Sequence, residues 1–345
     1  MTQEHPGIVV GVDGSEQSLR ATHWAAAEAY RRQLPLTVLT AYSIPAFAAS
    51  SMDGGYAMMD DSSLKAGAER VIEQAKQFLR DYPGEVDYRI ESGDPTAVLL
   101  EYADGAEMLV VGSRGRGGFL GRLLGSVSSA LPAHAKCPTV LVPLKFSLKE
   151  ENAMTTATGA IPVVSSSPHP GAEPPDSLIK EGAHPIRTRD ARPVVAGVDG
   201  SDYGRVAALV AAQEAAERNV ELRLVCALPP LGSTLVWIPT HIDDSDAQAE
   251  LEEKLGAGRA WLKSHFPELS IDIEVVDGSA VDVLVEETRR SQLTVLGTRG
   301  RGGFAGMLLG STSQGVLHHA EGPLMVVPDG EDERIKNRAD FGPVL

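Results

Sequence analysis

The strongest constraint on the fold is an internal repeat, because two separate sequence patterns each occur twice and in the same order. Ile-Val-Val-Gly-Val-Asp-Gly-Ser at 8–15 returns as Val-Val-Ala-Gly-Val-Asp-Gly-Ser at 194–201. Gly-Ser-Arg-Gly-Arg-Gly-Gly-Phe at 112–119 returns as Gly-Thr-Arg-Gly-Arg-Gly-Gly-Phe at 297–304. The two patterns lie about a hundred residues apart in both copies, which is the length of a domain rather than of a solenoid repeat. The sequence therefore predicts two tandem copies of one domain.

The segment between the copies has a different composition and is predicted to be a flexible linker. It is rich in Pro, Ser, Thr, Ala and Gly, as in Pro-Val-Val-Ser-Ser-Ser-Pro-His-Pro at 162–170, and it has no aromatic residue after Phe146. Such a segment buries too little apolar surface to offset the entropy of ordering its chain. The predicted organisation is a first domain at 1–146, a linker at 147–191, a second domain at 192–329 and a tail at 330–345.

Length, charge and cysteine content narrow the class of protein. The 345 residues suit two domains of roughly 150 residues each, and a net charge of −16 disfavours a nucleic-acid partner, whose phosphates would be repelled. Two cysteines, Cys137 and Cys226, are too few for a disulfide framework and are typical of a reducing compartment. The start lacks the features of a secretory signal, and no apolar run reaches the roughly 18 residues of a membrane helix. We therefore expect a cytoplasmic protein with no membrane span.

Each copy alternates short apolar runs with longer amphipathic segments, which is typical of an α/β fold. Because strand–helix–strand units place their strands parallel, the sequence predicts two tandem doubly wound domains, each with a parallel sheet and helices on both faces. Strands of the first copy are predicted at 8–12, 36–42, 86–90, 108–111 and 139–142, and those of the second near Val194, Leu222, Ile271, Leu293 and Leu324. Helix starts are predicted at Ser15, Asp94-Pro95 and Ser126.

The most distinctive chemistry lies at the predicted carboxyl ends of strands. Asp13 follows the first strand of the first copy, and a glycine-rich loop follows the fourth. The loop has the spacing Gly112-x-x-Gly115, nine residues, then Gly125-Ser126. Ligands of a doubly wound sheet bind at this edge, where the strand order reverses. Glycines let backbone N–H groups approach a phosphate closely, and the following helix start favours an anion.

The loop is also basic within an acidic chain. Between Gly112 and Gly125 it carries Arg114, Arg116 and Arg122 and neither Asp nor Glu, which suits a polyphosphate. A glycine-rich loop can also serve only as a tight turn, and that alternative stays open for one copy taken alone. The spacing and the first two arginines recur in the second copy, which favours a binding site in both.

Asp13 and Asp199 have two compatible interpretations. They would contact a nucleotide or hold a magnesium ion near its phosphates, or they would cap the following helix.

No Gly-x-x-x-x-Gly-Lys-Ser/Thr motif of a P-loop is present, and the first strand–helix turn lacks the Gly-x-Gly-x-x-Gly motif of a dinucleotide fold. No nucleophile–base pair recurs in both copies, so the sequence predicts no catalytic residue.

Other reactive side chains are expected to be structural. His134, His318 and His319 have no neighbouring cysteine or carboxylate at a metal-ligand spacing, and we expect surface or half-buried histidines there. Cys137 and Cys226 fall at or inside predicted strands, and we expect buried, inert thiols. The sequence therefore predicts no metal ligand among these residues.

Taken together, these motifs resemble the universal stress proteins, in particular their ATP-binding members. The strand that ends in Gly-Val-Asp-Gly-Ser and the loop with Gly-x-x-Gly, nine residues and Gly-Ser carry the resemblance, which covers 5–145 and 192–328. The tandem arrangement is similar to that of actinobacterial, mycobacterium-type members. The resemblance implies that each sheet has five parallel strands in the order 3-2-1-4-5.

The resemblance also implies which residues bind ATP. They belong to the strand end beside adenosine, the position after the second strand that recognises adenine through its backbone, the loop over ribose and phosphates, and the phosphate-binding helix start. An alanine at the adenine position is smaller than the residue common in the family. The implied residues are Gly11, Asp13, Ala41, Gly112, Arg114, Gly115, Arg116, Gly117, Gly118, Gly125, Ser126, Val127 and Ser128 in the first copy, and Gly197, Asp199, Ala227, Gly297, Arg299, Gly300, Arg301, Gly302, Gly303, Gly310, Ser311, Thr312 and Ser313 in the second.

Three functions are compatible with these motifs. The leading hypothesis is a regulatory ATP-binding protein, a stress sensor with one ATP, with or without Mg²⁺, in each domain. The alternatives are a slow Mg²⁺-dependent ATPase or phosphotransferase, and a scaffold that has lost nucleotide binding. The last strands, 139–142 and 324–327, resemble the edges through which family members pair. We therefore expect an internal pseudo-dimer of the two domains, a homodimer as a further option, and a protein partner whose identity the sequence does not give.

Overall fold

The computed structural model describes residues 7–43, 61–115, 124–143, 146, 190–228, 244–300, 308–330 and 332–336. The chain divides into two compact units, Met1–Arg189 and Asp190–Leu345. The predicted linker, as far as Arg189, and the tail beyond Lys336 lie outside the described residues. Within the described part of the chain, no helix combines the length and the apolar character that crossing a bilayer requires.

The first unit contains a five-stranded parallel sheet with helices packed against it. Its strand order is β3-β2-β1-β4-β5, which confirms the predicted order 3-2-1-4-5. The strands are β1 (Ile8–Gly11), β2 (Leu36–Tyr42), β3 (Val86–Ser92), β4 (Met108–Gly112) and β5 (Thr139–Val142). The helices are α1 (Glu16–Arg32), α2 (Asp61–Phe78), α3 (Pro95–Ala103) and α4 (Ser126–His134).

The second unit repeats this architecture. Its parallel strands have the order β8-β7-β6-β9-β10, so the same topology occurs twice. The strands are β6 (Val194–Gly197), β7 (Leu222–Leu228), β8 (Ile271–Asp277), β9 (Leu293–Gly297) and β10 (Leu324–Val327). The helices are α5 (Asp202–Arg218), α6 (Asp244–His265), α7 (Ala280–Arg290) and α8 (Ser311–His319), followed by one turn, α9 (Glu333–Lys336).

Apolar central strands explain why each sheet is covered on both faces. In β1 the partners of Val10 are Val38 on β2 and Val110 on β4, and all three side chains are fully buried. Continuous apolar strands of this kind are typical of parallel sheets between two helical layers. Helices α1 and α2 pack together, as do α3 and α4, so two pairs of helices enclose the strands.

The helix starts follow the local sequence. Ser15 caps α1 by accepting a hydrogen bond from the N–H of Ser18 at 3.2 Å, and Asp94 caps α3, whose first residue is Pro95. The first strand was predicted at 8–12 and is one residue shorter, since β1 ends at Gly11. These caps fix where α1 and α3 begin relative to the carboxyl edge of the sheet.

Candidate functional site

A cavity of about 390 Å³ lies at the carboxyl edge of the first sheet, between the ends of β1 and β4. These two strands are neighbours from which the chain continues to opposite sides, so this is the switch point of the fold. The cavity is lined by Gly11, Val12, Asp13, Ser18, Leu39, Ala41, Pro95, Leu99, Val111, Gly112, Arg114, Gly115, Leu124, Gly125, Ser126, Val127 and Ser128.

Asp13 braces the turn between β1 and α1. Its Oδ1 accepts hydrogen bonds from the N–H of Ser15 at 3.0 Å and from Ser15 Oγ at 2.6 Å. Gly14 has a φ of +77°, a conformation that favours glycine and allows this tight turn. The N-cap of α1 is Ser15. The interpretation of Asp13 as the capping residue is therefore wrong, and Asp13 instead supports the cap through its hydrogen bonds to Ser15.

The second unit has the same turn. Asp199 Oδ1 accepts from the N–H of Ser201 at 3.0 Å and from Ser201 Oγ at 2.6 Å. Gly200 has a φ of +79°, and Ser201 caps α5. Two separate copies of the sequence thus fold into one hydrogen-bonding pattern, which leaves the second carboxylate oxygen of each aspartate on the side of the glycine-rich loop.

The second glycine of each loop lies directly against that carboxylate. A Cβ atom at Gly115 would collide with Oδ2 of Asp13, and one at Gly300 would collide with Oδ2 of Asp199. The first glycine is also confined, since a Cβ at Gly112 would lie 3.1 Å from Cβ of Gln17. The Gly-x-x-Gly spacing therefore reflects close approach of the backbone to neighbouring groups in this fold.

The helix start at Gly125 is fastened to the loop. The N–H of Gly125 donates to the carbonyl oxygen of Ser113 at 3.1 Å, and Ser128 Oγ donates to the same oxygen at 2.7 Å. Ser128 is 3% exposed, so its hydroxyl positions the loop, whereas Ser126 is exposed. The first N–H groups of α4 consequently face the cavity with a fixed orientation.

The corresponding helix start in the second unit is fastened by similar bonds. The N–H of Gly310 donates to the carbonyl oxygen of Thr298 at 2.7 Å, and Ser313 Oγ donates to that of Gly297 at 2.7 Å. Ser313 is buried and Ser311 is exposed. In both units the buried serine of the predicted helix start, Ser128 or Ser313, thus donates its hydroxyl hydrogen to the loop backbone and has a structural role.

The other end of the cavity is apolar. A Cβ at Gly11 would lie 3.0 Å from Leu99 Cδ2, so glycine at the end of β1 leaves room between strand and helix α3. Sequence reasoning missed the apolar lining residues and Ser18. The sequence did contain a signal for two of these residues. Leu39 lies on the same face of β2 as the predicted Ala41, and Pro95 begins a helix at the same edge of the sheet. The missed residues are Val12, Ser18, Leu39, Pro95, Leu99, Val111 and Leu124.

Ten of the thirteen residues predicted for the first domain line this one cavity, whereas Arg116, Gly117 and Gly118 lie outside the described residues. In the second domain the described members lie in or shortly after β6, β7 and β9 or at the start of α8, and Arg301, Gly302 and Gly303 lie outside the described residues. Those described members are Gly197, Asp199, Ala227, Gly297, Arg299, Gly300, Gly310, Ser311, Thr312 and Ser313.

The remaining candidates are placed away from this chemistry. His134 and His319 are exposed and His318 is half-buried, where burial and the adjacent His319 lower the pKa of its imidazole. Both thiols are buried, as predicted, and burial raises the pKa of Cys137 to about 12. A thiol with so high a pKa is protonated at neutral pH and is a poor nucleophile.

Comparison with known proteins identifies the family. The profile of the universal stress protein family matches residues 7–143 and 191–328. Universal stress proteins Rv2623 and Rv2005c of Mycobacterium tuberculosis are 33% and 32% identical to the chain, and each alignment covers 93% of this chain and 95% or 96% of the relative. A universal stress protein structure from Archaeoglobus fulgidus superposes with a TM-score of 0.58 at 17% identity, covering 95% of this chain and all of that one. The chain therefore belongs to the universal stress protein family and carries two copies of its domain.

Proposed function

We propose that the chain is a regulatory, ATP-binding universal stress protein with one nucleotide site in each domain. The observation that carries this proposal is the cavity of about 390 Å³ at the switch point of the first sheet. Its volume is within the roughly 300–1,000 Å³ of small-molecule sites. One end offers backbone N–H groups and the other an apolar surface, as a nucleotide requires.

The phosphates are assigned to the end formed by the glycine loop and α4. The helix begins at Ser126, after the N-cap Gly125, and its first-turn N–H groups and positive dipole end favour an anion. Arg114 lines the same end of the cavity and adds a positive charge. The glycines keep side chains out of the space that an anion would need.

The nucleoside is assigned to the apolar end. Leu39, Leu99 and Val111 line this part of the cavity and suit the faces of a purine and a ribose. Ala41 is the penultimate residue of β2 and is half-buried there, and its backbone is the proposed partner of the adenine edge. A small side chain at this position leaves the backbone accessible.

A regulatory role is favoured over catalysis by the chemistry of the lining. Among the described residues around the cavity, Asp13 is the one carboxylate, and there is neither a histidine nor a lysine. Asp13 Oδ1 already accepts two hydrogen bonds from Ser15. Efficient phosphoryl transfer needs a positioned base or water-orienting residue. ATP turnover above about one per second would favour the alternative, an Mg²⁺-dependent ATPase or phosphotransferase.

The proposal is tested by the nucleotide content and affinity of the full-length chain. Mass spectrometry of protein purified without added nucleotide should detect ATP, and calorimetric titration should give binding of ATP at the first site. Gly115→Val should weaken that binding at least about tenfold, because its side chain would occupy the space of Asp13 Oδ2. The matched control is Gly67→Ala in α2, where a Cβ meets nothing within 4 Å.

The two variants separate loss of a site from loss of the fold. Gly67→Ala should keep the wild-type ATP affinity, and its melting temperature should not fall, because alanine is the better helix former. A wild-type chain that contains no ATP as purified and also binds none on titration would contradict the proposal. Unchanged ATP affinity of Gly115→Val would instead contradict the assignment of the phosphates to this loop.

The cellular setting and assembly belong to the same proposal. We place the protein in the cytoplasm, where ATP is available, with its signal passed to a protein partner. The pairing of the two domains, or of two chains, through the last strands stays a prediction from the family resemblance. A mass measurement of the native chain at several concentrations tests whether it dimerises.

A further inference from the structure

The two glycine-rich loops pack against different residues of the preceding helix. The second residue of the first helix is Gln17 in the first domain and Tyr203 in the second. A Cβ at Gly112 would lie 3.1 Å from Gln17 Cβ, and one at Gly297 would lie 2.7 Å from the carbonyl oxygen of Tyr203. Both residues therefore lie directly beneath the start of the loop, where their side chains can act on it.

In the second domain this residue holds an arginine of the loop. The guanidinium carbon of Arg299 lies 4.9 Å from the centroid of the Tyr203 ring, within range of a cation–π contact. A planar guanidinium stacked on a ring samples fewer orientations than one in solvent. Tyr203 belongs to the capped first turn of α5, so the ring that carries Arg299 is itself held by the fold.

Arg299 also keeps a hydrogen-bond donor unused. Its Nε is buried and has no hydrogen-bond partner among the described residues. The Cα of Arg299 lies 3.3 Å from where Gly310 would place a Cβ, so the side chain begins beside the N-cap of α8. An unpaired buried donor is unfavourable until it is satisfied, and an anion at this helix start would be the natural acceptor.

The first domain uses a different contact at this position. The Nε2 of Gln17 reaches the hydroxyl of Ser113 at 3.5 Å, and Gln17 is 3% exposed. An amide has no aromatic face on which a guanidinium can stack, so Gln17 cannot hold Arg114 as Tyr203 holds Arg299. The two domains thus share their loop glycines but differ in how the loop arginine is supported.

We propose that Tyr203 is a positioning residue that holds Arg299 at the phosphate end of the second site. The second site then distinguishes ATP from AMP more strongly than the first, because the fixed guanidinium meets the outer phosphates that AMP lacks. This inference rests on the proposed nucleotide function and goes beyond it by making the two sites unequal.

The test measures the second site by itself in the full-length chain. In a Gly115→Val background, which removes the first site, calorimetry gives the affinities for ATP and AMP with and without Tyr203→Gln, the residue of the first domain. We expect ATP binding to weaken about fivefold and AMP binding to stay within about twofold. Tyr203→Phe, which keeps the ring, should retain the parent's preference for ATP over AMP.

The outcomes distinguish this inference from the function on which it rests. If the parent binds ATP but Tyr203→Gln leaves its preference over AMP unchanged, or weakens both ligands equally, Tyr203 has no positioning role toward the outer phosphates. If the parent binds no ATP, the nucleotide function of the second domain fails and the inference fails with it. Melting temperatures of the three proteins show whether Tyr203→Gln remains folded.

Discussion

At the scale of single residues, the most informative contact is a carboxylate against the backbone of a phosphate-binding loop. Oδ2 of Asp13 occupies the space that a Cβ of Gly115 would need, and Asp199 and Gly300 repeat the arrangement. A phosphate chain on this loop would bring negative charge close to the aspartate, which is unfavourable at such distances. A divalent cation between the two anions would remove this repulsion and bind carboxylate and phosphate oxygens together.

We therefore predict that ATP binding at the first site depends on Mg²⁺ through Asp13. In a Gly300→Val background, removal of Mg²⁺ with EDTA should weaken ATP binding about tenfold. In Asp13→Asn the loss should shrink to within about threefold, because the repulsive charge is gone while an amide oxygen can still accept from Ser15. Calorimetric titration with and without EDTA measures both ratios.

A remote aspartate provides the control for this experiment. Asp104 is exposed and forms an ion pair with Lys136 at 2.8 Å, away from the cavity lining. Asp104→Asn should keep the wild-type dependence on Mg²⁺. An equal Mg²⁺ dependence of Asp13→Asn and its parent would exclude Asp13 from holding the cation.

At the scale of elements, the second unit joins β7 to α7 through an ion pair that the equivalent residues of the first unit cannot form. NH1 of Arg223 lies 3.3 Å from Oε2 of Glu287, which is 5% exposed. The equivalent residues in the first unit are Thr37 and Tyr102. Burial raises the pKa of the Glu287 carboxyl, and the opposing attraction of Arg223 does not cancel this effect.

This raised pKa predicts a pH-dependent contribution to stability. Since the folded state disfavours the charged form, the stabilising contribution of Glu287 is complete below the ordinary carboxyl pKa and is lost as pH rises through the raised pKa. Relative to Glu287→Gln, the wild-type chain should therefore lose stability between about pH 4 and pH 7. Denaturant unfolding at both pH values measures the difference.

The exposed Glu253 on α6 serves as the comparison for this prediction. Glu253→Gln should differ from the wild type by the same small amount at both pH values. A stability difference between wild type and Glu287→Gln that grows in favour of the wild type with rising pH would contradict the prediction. It would mean that the attraction of Arg223 exceeds the cost of burying the carboxylate.

Elements with local signals were predictable from the sequence, and contacts between elements were not. The starts of α3 and α4 were predicted correctly because Asp94-Pro95 and Gly-Ser at 125–126 act within one turn of the chain. The role of Ser128 was not, since its hydroxyl bonds to a carbonyl fifteen residues earlier in sequence. The same holds for Gln17, whose place beneath the loop depends on how α1 crosses the sheet.

At the scale of the whole molecule, the duplication provides matched positions in two hydrophobic cores. Val110 in β4 and Val295 in β9 are equivalent and fully buried. Truncation of either valine to alanine should cost its own domain about 2 kcal/mol through lost burial and a small cavity. Because each compact unit has its own buried core, we predict two unfolding transitions, of which Val110→Ala lowers one and Val295→Ala the other. Calorimetric scanning measures both, and equal effects of the two variants on a single transition would show that the domains unfold together.

Ligand binding extends this assignment to function, because a ligand stabilises only the domain that binds it. At a concentration of 100 times its Kd, ATP should add about 2.7 kcal/mol to the stability of each occupied domain. The transition lowered by Val110→Ala should lose this response in Gly115→Val, and the transition lowered by Val295→Ala should lose it in Gly300→Val. A response of both transitions to ATP in the wild-type chain, with one lost in each variant, requires two separate sites. If one glycine variant alone abolishes the response to ATP in both domains, the two sites are coupled. The duplicated chain would then act as one sensor rather than two.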